Sequence, residues 1–143
     1  MQFTQLLLSS LFASSAVLAA PVSMMAASPE WTITDMMRVC NTADTECTWT
    51  FGIQIGKGAV TECTYVEKGT DASHIVGGGP ATCGKYTVTS NWSGQFGKGQ
   101  GFTTLAVVDN PTSQIIYPSY KDTQLVNGTV VKPDQSYAPA ALP

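Results

Sequence analysis

Cys40, Cys47, Cys63 and Cys83 are the whole cysteine complement of a 143-residue chain that opens on an apolar leader. An even number of cysteines in a small exported protein reads as a disulfide framework. The fold is therefore sought among short-stranded architectures in which cross-links supplement a modest core. Zinc binding is the competing use of such a set, and it fails because no C-x-x-C pair is present and His74 is the single histidine. Of the pairings open to four cysteines, Cys40 with Cys47 and Cys63 with Cys83 is favoured, because each pair would staple neighbouring strands across one turn or loop. The chain-entropy relation gives about 2.5 and 3.3 kcal/mol for loops of those lengths.

Met1 to Ala20 carries no charged side chain, has an apolar middle (Leu6-Leu7-Leu8, Ala16-Val17-Leu18) and ends on small residues before Pro21. This is the pattern of a signal peptide over residues 1–19, cut after Ala19. As a membrane anchor the run is shorter than the about 20 apolar residues a span requires, and serines interrupt it. No later segment is longer or more apolar, so stable membrane insertion is not expected. Residues 20–30, with Pro21 and Pro29 among Ala, Ser and Met, read as a flexible lead-in. Residues 31–143 then form a single all-β secreted domain, long enough for one core.

The net charge of -3, with Arg38, Lys57, Lys68, Lys85, Lys98, Lys121 and Lys132 scattered along the chain, leaves no basic patch for nucleic acid. Charged residues make up only 12%, so hydroxyls and amides must solvate the surface, as suits an extracellular protein.

Alternation of apolar and polar residues predicts strands. Cys47, Trp49, Phe51, Ile53 and Ile55 alternate strictly with Thr48, Thr50, Gly52 and Gln54, and Trp31 to Met37 precede them across a turn made by Asn41 to Glu46. Further strands are expected at Val60–Val66, Tyr86–Trp92, Phe102–Val108 and Gln114–Tyr117, with Gly69–Pro80 and Ser93–Gly101 as Gly-rich loops. Asn127-Gly128 carries the two-residue hairpin signal and predicts two last strands around it. The sum is an antiparallel β-barrel or sandwich of about eight strands with two disulfides. Its expected core is Trp31, Trp49, Phe51, Tyr86, Trp92 and Phe102, and Pro133–Pro143 is expected as an extended tail or edge cover.

Little in the sequence points to catalysis. A nucleophile system needs a histidine poised beside a partner, and His74 in its Gly-rich loop reads as a solvated residue. Paired acids acting on a sugar would have to come from Glu62, Asp109, Asp35 or Glu46, which read more simply as rim charges and turn formers. Gly56-Lys57-Gly58 and Gly97-Lys98-Gly99 lack the P-loop context and read as flexible turns. Asn91 and Asn127 head N-glycosylation sequons. Phe96, Tyr117, Tyr120 and Tyr137 are the aromatics least accounted for by burial, and they form the expected contact surface. No catalytic residue, cofactor or metal site is expected.

Several stretches resemble a family of small secreted proteins of filamentous fungi, some of which are hypersensitive-response-inducing elicitors. They are Trp31-Thr32-Ile33, Arg38-Val39-Cys40-Asn41 leading to Cys47-Thr48-Trp49-Thr50-Phe51-Gly52, Cys63-Thr64-Tyr65, Thr82 to Ser90, and Val131 to Tyr137. The resemblance implies a β-barrel-like fold, secretion, and sensing by plant cells that answer with defence or cell death. It implies no catalytic residues. The leading expectation is a non-enzymatic, monomeric effector or elicitor acting on a plant cell-surface receptor. The alternative is a glycan- or cell-wall-binding β-domain, and a small carboxylate-dependent hydrolase ranks third.

Overall fold

The computed structural model describes residues 28–143; the expected signal peptide and residues 20–27 of the expected lead-in lie outside them. The described residues are all-β, with ten strands in two antiparallel sheets, which is the sandwich form of the expected architecture. One sheet has the order β3-β2-β1-β9, from Val60–Lys68, Glu46–Ile55, Trp31–Cys40 and Gln135–Tyr137. The other has the order β10-β7-β6-β5-β4, from Ala140–Ala141, Gln114–Ile116, Phe102–Asp109, Tyr86–Ser93 and Gly78–Cys83, with β8 (Ser119–Lys121) beside β7 on the same edge of β6. Pro118 separates β7 from β8; it has no N–H to give, but its carbonyl accepts from Leu105 N–H at 2.7 Å. The C-terminal tail supplies both β9 and β10, so it pairs an edge of each sheet.

A β-bulge in β1 decides what the first strand buries. Trp31 and Ile33 face inward at odd positions, pairing shifts between Thr34 and Met37, and Met36 and Arg38 then face inward at even positions. Asp35 takes up the extra residue with φ 50°. A one-residue slip exchanges the faces of a strand, and this slip places a guanidinium inside the sandwich. The core is Trp31, Trp49, Phe51, Tyr65 and Tyr86 with Ile33, Ile53, Val88, Leu105, Val107 and Ile116. Trp92 and Phe102, expected there, are only half-buried: β6 turns Thr103, Leu105 and Val107 inward, which puts Phe102 on the outer face.

Cys40 is bonded to Cys47, its register partner across the β1–β2 hairpin, with the Cα atoms 4.0 Å apart. Cys63 is bonded to Cys83. This second bridge spans the loop between two consecutive strands and links β3 of one sheet to β4 of the other.

Two segments differ from expectation. Asn127-Gly128 does not head a hairpin, because its surroundings bond to β1 instead. Asn127 Oδ1 accepts Cys40 N–H at 2.6 Å, Gly128 N–H donates to Arg38 O at 3.2 Å, and Val131 N–H donates to Met36 O at 2.7 Å. Gly69–Pro80 holds a one-turn 3-10 helix at Ala72–His74 and the start of β4 at Gly78. Gly78 stands there because a Cβ would collide with the Glu67 carboxyl and the Ser90 hydroxyl.

Candidate functional site

The site is built outward from the first hairpin. Asn41 Oδ1 accepts the N–H groups of Thr45 (2.8 Å) and Glu46 (3.2 Å), which closes the turn. Asp44 in that turn accepts the Ser73 N–H at 2.9 Å and the Ser73 hydroxyl at 2.6 Å, tying the 3-10 helix to the hairpin. Partial burial pushes the Asp44 carboxyl up, but its hydrogen bonds outweigh this and hold it below the ordinary 3.8.

His74 is thereby carried between two acids, with Nδ1 3.2 Å from Asp71 and Nε2 3.5 Å from Asp122. Its ring stacks on Trp92 at 4.2 Å between centroids and 27° between planes. His74 is half-buried, so its reading as a solvated loop residue is corrected. Trp92 Nε1 donates to Asp122 Oδ2 at 3.0 Å, and Arg38 stands 4.0 Å from Asp122 Oδ1. Arg38 lies over the Trp49 ring at 5.3 Å and donates to Ser73 O at 3.1 Å. Burial lowers its pKa from the ordinary arginine value, opposed by the charges of Asp122, Asp44 and Glu67.

Glycines shape the wall of this cluster. Gly97 N–H bonds Gly94 O and Gln100 N–H bonds Gly97 O, each at 3.1 Å, so the expected flexible turn is two linked hydrogen-bonded turns. Gly99, with φ 77°, takes the position that a type II turn reserves for a residue of positive φ. On one side of this loop a cavity of about 500 Å³ is lined by His74, Trp92, Lys98 and Asp122 with the loop glycines. On the other, a cavity of about 440 Å³ is lined by Phe96, Gln100, Phe102, Ser119, Lys121 and Gln124. Phe96 and Phe102 stack with centroids 5.7 Å apart and planes at 24°.

Gly101 is buried against the same indole, and a Cβ there would stand 2.8 Å from Trp92 Cζ2, 2.9 Å from Nε1, and against Asp122 Oδ2. Gly101→Ala is accordingly expected to part the Trp92–Asp122 hydrogen bond and cost about 1–3 kcal/mol. Thermal unfolding checks this, and an unchanged melting temperature would show that the loop absorbs the methyl without moving Trp92.

The four expected contact aromatics separate. Phe96, 68% exposed, borders the second cavity, and Tyr117, 54% exposed, lies between β7 and β8. Tyr120 is corrected to a core residue: only 1% exposed, with burial pushing its hydroxyl pKa far above 10.0. Tyr137 is half-buried on β9, and its hydroxyl donates to Gln135 Oε1. Asn91 and Asn127 are exposed, and each uses Oδ1 to accept a backbone N–H, from Gly77 and from Cys40.

Three of the four candidate acids are paired with separate lysines. Asp35 pairs with Lys132, Glu46 with Lys68 at 3.7 Å, and Glu62 is exposed on β3. Asp109 is not the rim charge expected; it is buried, 3.2 Å from Lys85. Cys40, Asp44 and Cys47 lie close enough together to hold a cation, but the two sulfurs are bonded to each other and cannot serve as thiolate ligands.

A buried carboxyl was missed by sequence reasoning. Glu67, on the inner face of β3, accepts Trp49 Nε1–H at 3.0 Å and the Ser90 hydroxyl of the opposite sheet. The signal was available, because the alternation Cys63, Tyr65 continues inward to position 67.

Residues 32–142 match the family model described as Effector TSP1. The Effector TSP1 of the fungus Hypocrea virens (strain Gv29-8 / FGSC 10586) is 54% identical over 147 residues, an alignment covering 100% of both chains. Identity at that level over full length, together with a family match that takes in nearly every strand, shows that the chain belongs to the Effector TSP1 family, a family of fungal effector proteins.

Proposed function

We propose that the protein is secreted and acts on plant tissue without a catalytic step of its own, through recognition of its folded surface by a plant cell-surface receptor that leads to defence or cell death. The observation that carries this reading is membership of a fungal effector family over residues 32–142. Two further features support it. Both disulfides suit an oxidising extracellular setting, and the inter-sheet bridge holds the surface against unfolding and proteolysis in the plant apoplast. Of the acids considered for hydrolysis, Asp35, Glu46 and Asp109 neutralise lysines, and Glu62 stands exposed on β3.

Infiltration of leaves with the disulfide-bonded protein, beside a reduced and alkylated control, tests the reading through cell death and defence-gene induction. A response to the folded form alone is expected. Silence with both forms would retire recognition by plant cells, and an equal response to both would transfer it from the folded surface to a linear segment.

A further inference from the structure

Phe102 is the one aromatic among the outward-facing residues of β6, and the core does not explain it. The inner positions of that strand are Thr103, Leu105, Val107 and Asp109, and an outward position next to solvent is ordinarily polar. Its ring is covered by Phe96, which leaves most of its own surface in water. An aromatic pair set into an outer face, with the upper ring open, spends apolar area on something other than folding.

The surroundings indicate what that is. The cavity beside the rings takes Ser119 and Lys121 from β8, where Lys121 is the register partner of Phe102, and Gln100 and Gln124 from the two flanking turns. The turns that carry the two amides are hydrogen-bonded, and the Gln124 side chain is itself held in place. Gln100 N–H closes the Gly97 turn, while Gln124 N–H bonds Lys121 O and Gln124 Oε1 accepts Lys121 N–H, both at 2.9 Å. The last bond fixes the amide and leaves its NH2 as the donor end. A flat apolar platform rimmed by a hydroxyl, two amides and one ammonium, with no carboxylate among its lining residues, matches a molecule that has C–H faces and a girdle of hydroxyls. A purely apolar partner would leave the amides unmatched, and a cationic one would meet Lys121.

We propose that this cavity is a glycan subsite, in which a pyranose ring of a neutral wall oligosaccharide stacks on Phe96 and Phe102 and hydrogen-bonds Gln100, Ser119, Lys121 and Gln124. About 440 Å³ accommodates a short stretch of chain. Capture on the wall would concentrate the protein where host cells meet it. The subsite stands independently of receptor recognition, since leaf infiltration does not read glycan capture.

Titration calorimetry and NMR shift mapping of the disulfide-bonded protein with cellohexaose, laminarihexaose and chitohexaose, beside an oligogalacturonide, test the subsite. At least one neutral hexasaccharide is expected to bind with Kd on the order of 10⁻⁴ to 10⁻³ M and to shift Phe96, Gln100 and Gln124. Phe96→Leu, which stays apolar but loses the flat face, is expected to weaken binding roughly tenfold, and Phe96→Trp to retain it. Because Phe96 is exposed in a turn, both variants keep the fold, which thermal unfolding verifies. Three outcomes would overturn the proposal: no neutral hexasaccharide bound at about 10 mM, binding indifferent to Phe96→Leu, or capture of the oligogalacturonide alone with loss in salt.

Discussion

Replacing both members of the Cys63–Cys83 pair by serine is expected to cost about 3 kcal/mol, whereas the same change at Cys40 and Cys47 is expected to cost about 1–2 kcal/mol. Loop length alone separates the two bridges only slightly, since the sequence separations of 20 and 7 enter through a logarithm. What separates them further is the structure each retains without its bond. Cys40 and Cys47 sit on hairpin-paired strands whose turn is already closed by Asn41, so the reduced chain still favours their approach. Cys63 and Cys83 belong to different sheets, and in the unfolded chain nothing local draws them together. For a sandwich of this size the larger loss lowers the melting temperature by roughly 12 °C. Thermal unfolding of the two double-serine proteins decides the matter: equal losses, or a larger one at the hairpin, would mean that loop entropy and residual hairpin order do not govern this framework. If plant cells recognise the folded surface as proposed, the inter-sheet variant is also the one expected to weaken their response, because it removes one of the links between the sheets.

Features governed by local chemistry were legible in the chain. The strict alternation from Cys47 to Ile55 became β2, and Cys40 and Cys47 met across the turn that Asn41 closes. Where the expectation failed, a longer-range partner had won. Asn127-Gly128 has hairpin chemistry, yet Gly128 and Val131 find acceptors on β1 at Arg38 and Met36, and those bonds outbid a local ladder. The β1 bulge left a faint trace in the three-residue step from Ile33 to Met36, but an inward Arg38 follows only once Asp122, Ser73 and Trp49 are known to surround it. The candidate site divides the same way. Exposure of Phe96 followed from its glycine-rich surroundings, while Phe102 was misplaced by weighing aromatic character above the phase of its own strand. The His74–Trp92–Asp122 cluster draws on three distant segments, and no spacing in the sequence announces it.

Glu67→Ala is expected to be among the most damaging single substitutions in the protein, at roughly 3–5 kcal/mol. The Glu67 carboxyl does two jobs between the sheets: one oxygen accepts Trp49 Nε1–H from the neighbouring strand, and the other accepts the Ser90 hydroxyl from across the sandwich. Truncation leaves both donors buried without partners, opens a cavity beside Gly78, and removes one of the charges that offset the desolvation of Arg38. The neighbouring Tyr65 supplies a second readout. Burial first, and the charge of Glu67 second, push its hydroxyl far above the ordinary 10.0, so removing the acid should lower the pKa of Tyr65. Glu67→Gln keeps the volume and one carbonyl acceptor, so its cost should fall to about 1–2 kcal/mol, with the same direction of change at Tyr65. Ser90→Ala removes one of the two hydrogen bonds and should cost about 1 kcal/mol. Denaturant unfolding of the three variants, with spectrophotometric titration of the tyrosines, measures both effects. If Glu67→Ala were no worse than Ser90→Ala, the carboxyl would be a tolerated burden inside the sandwich, and the link between the sheets would rest on the core and the Cys63–Cys83 bond alone.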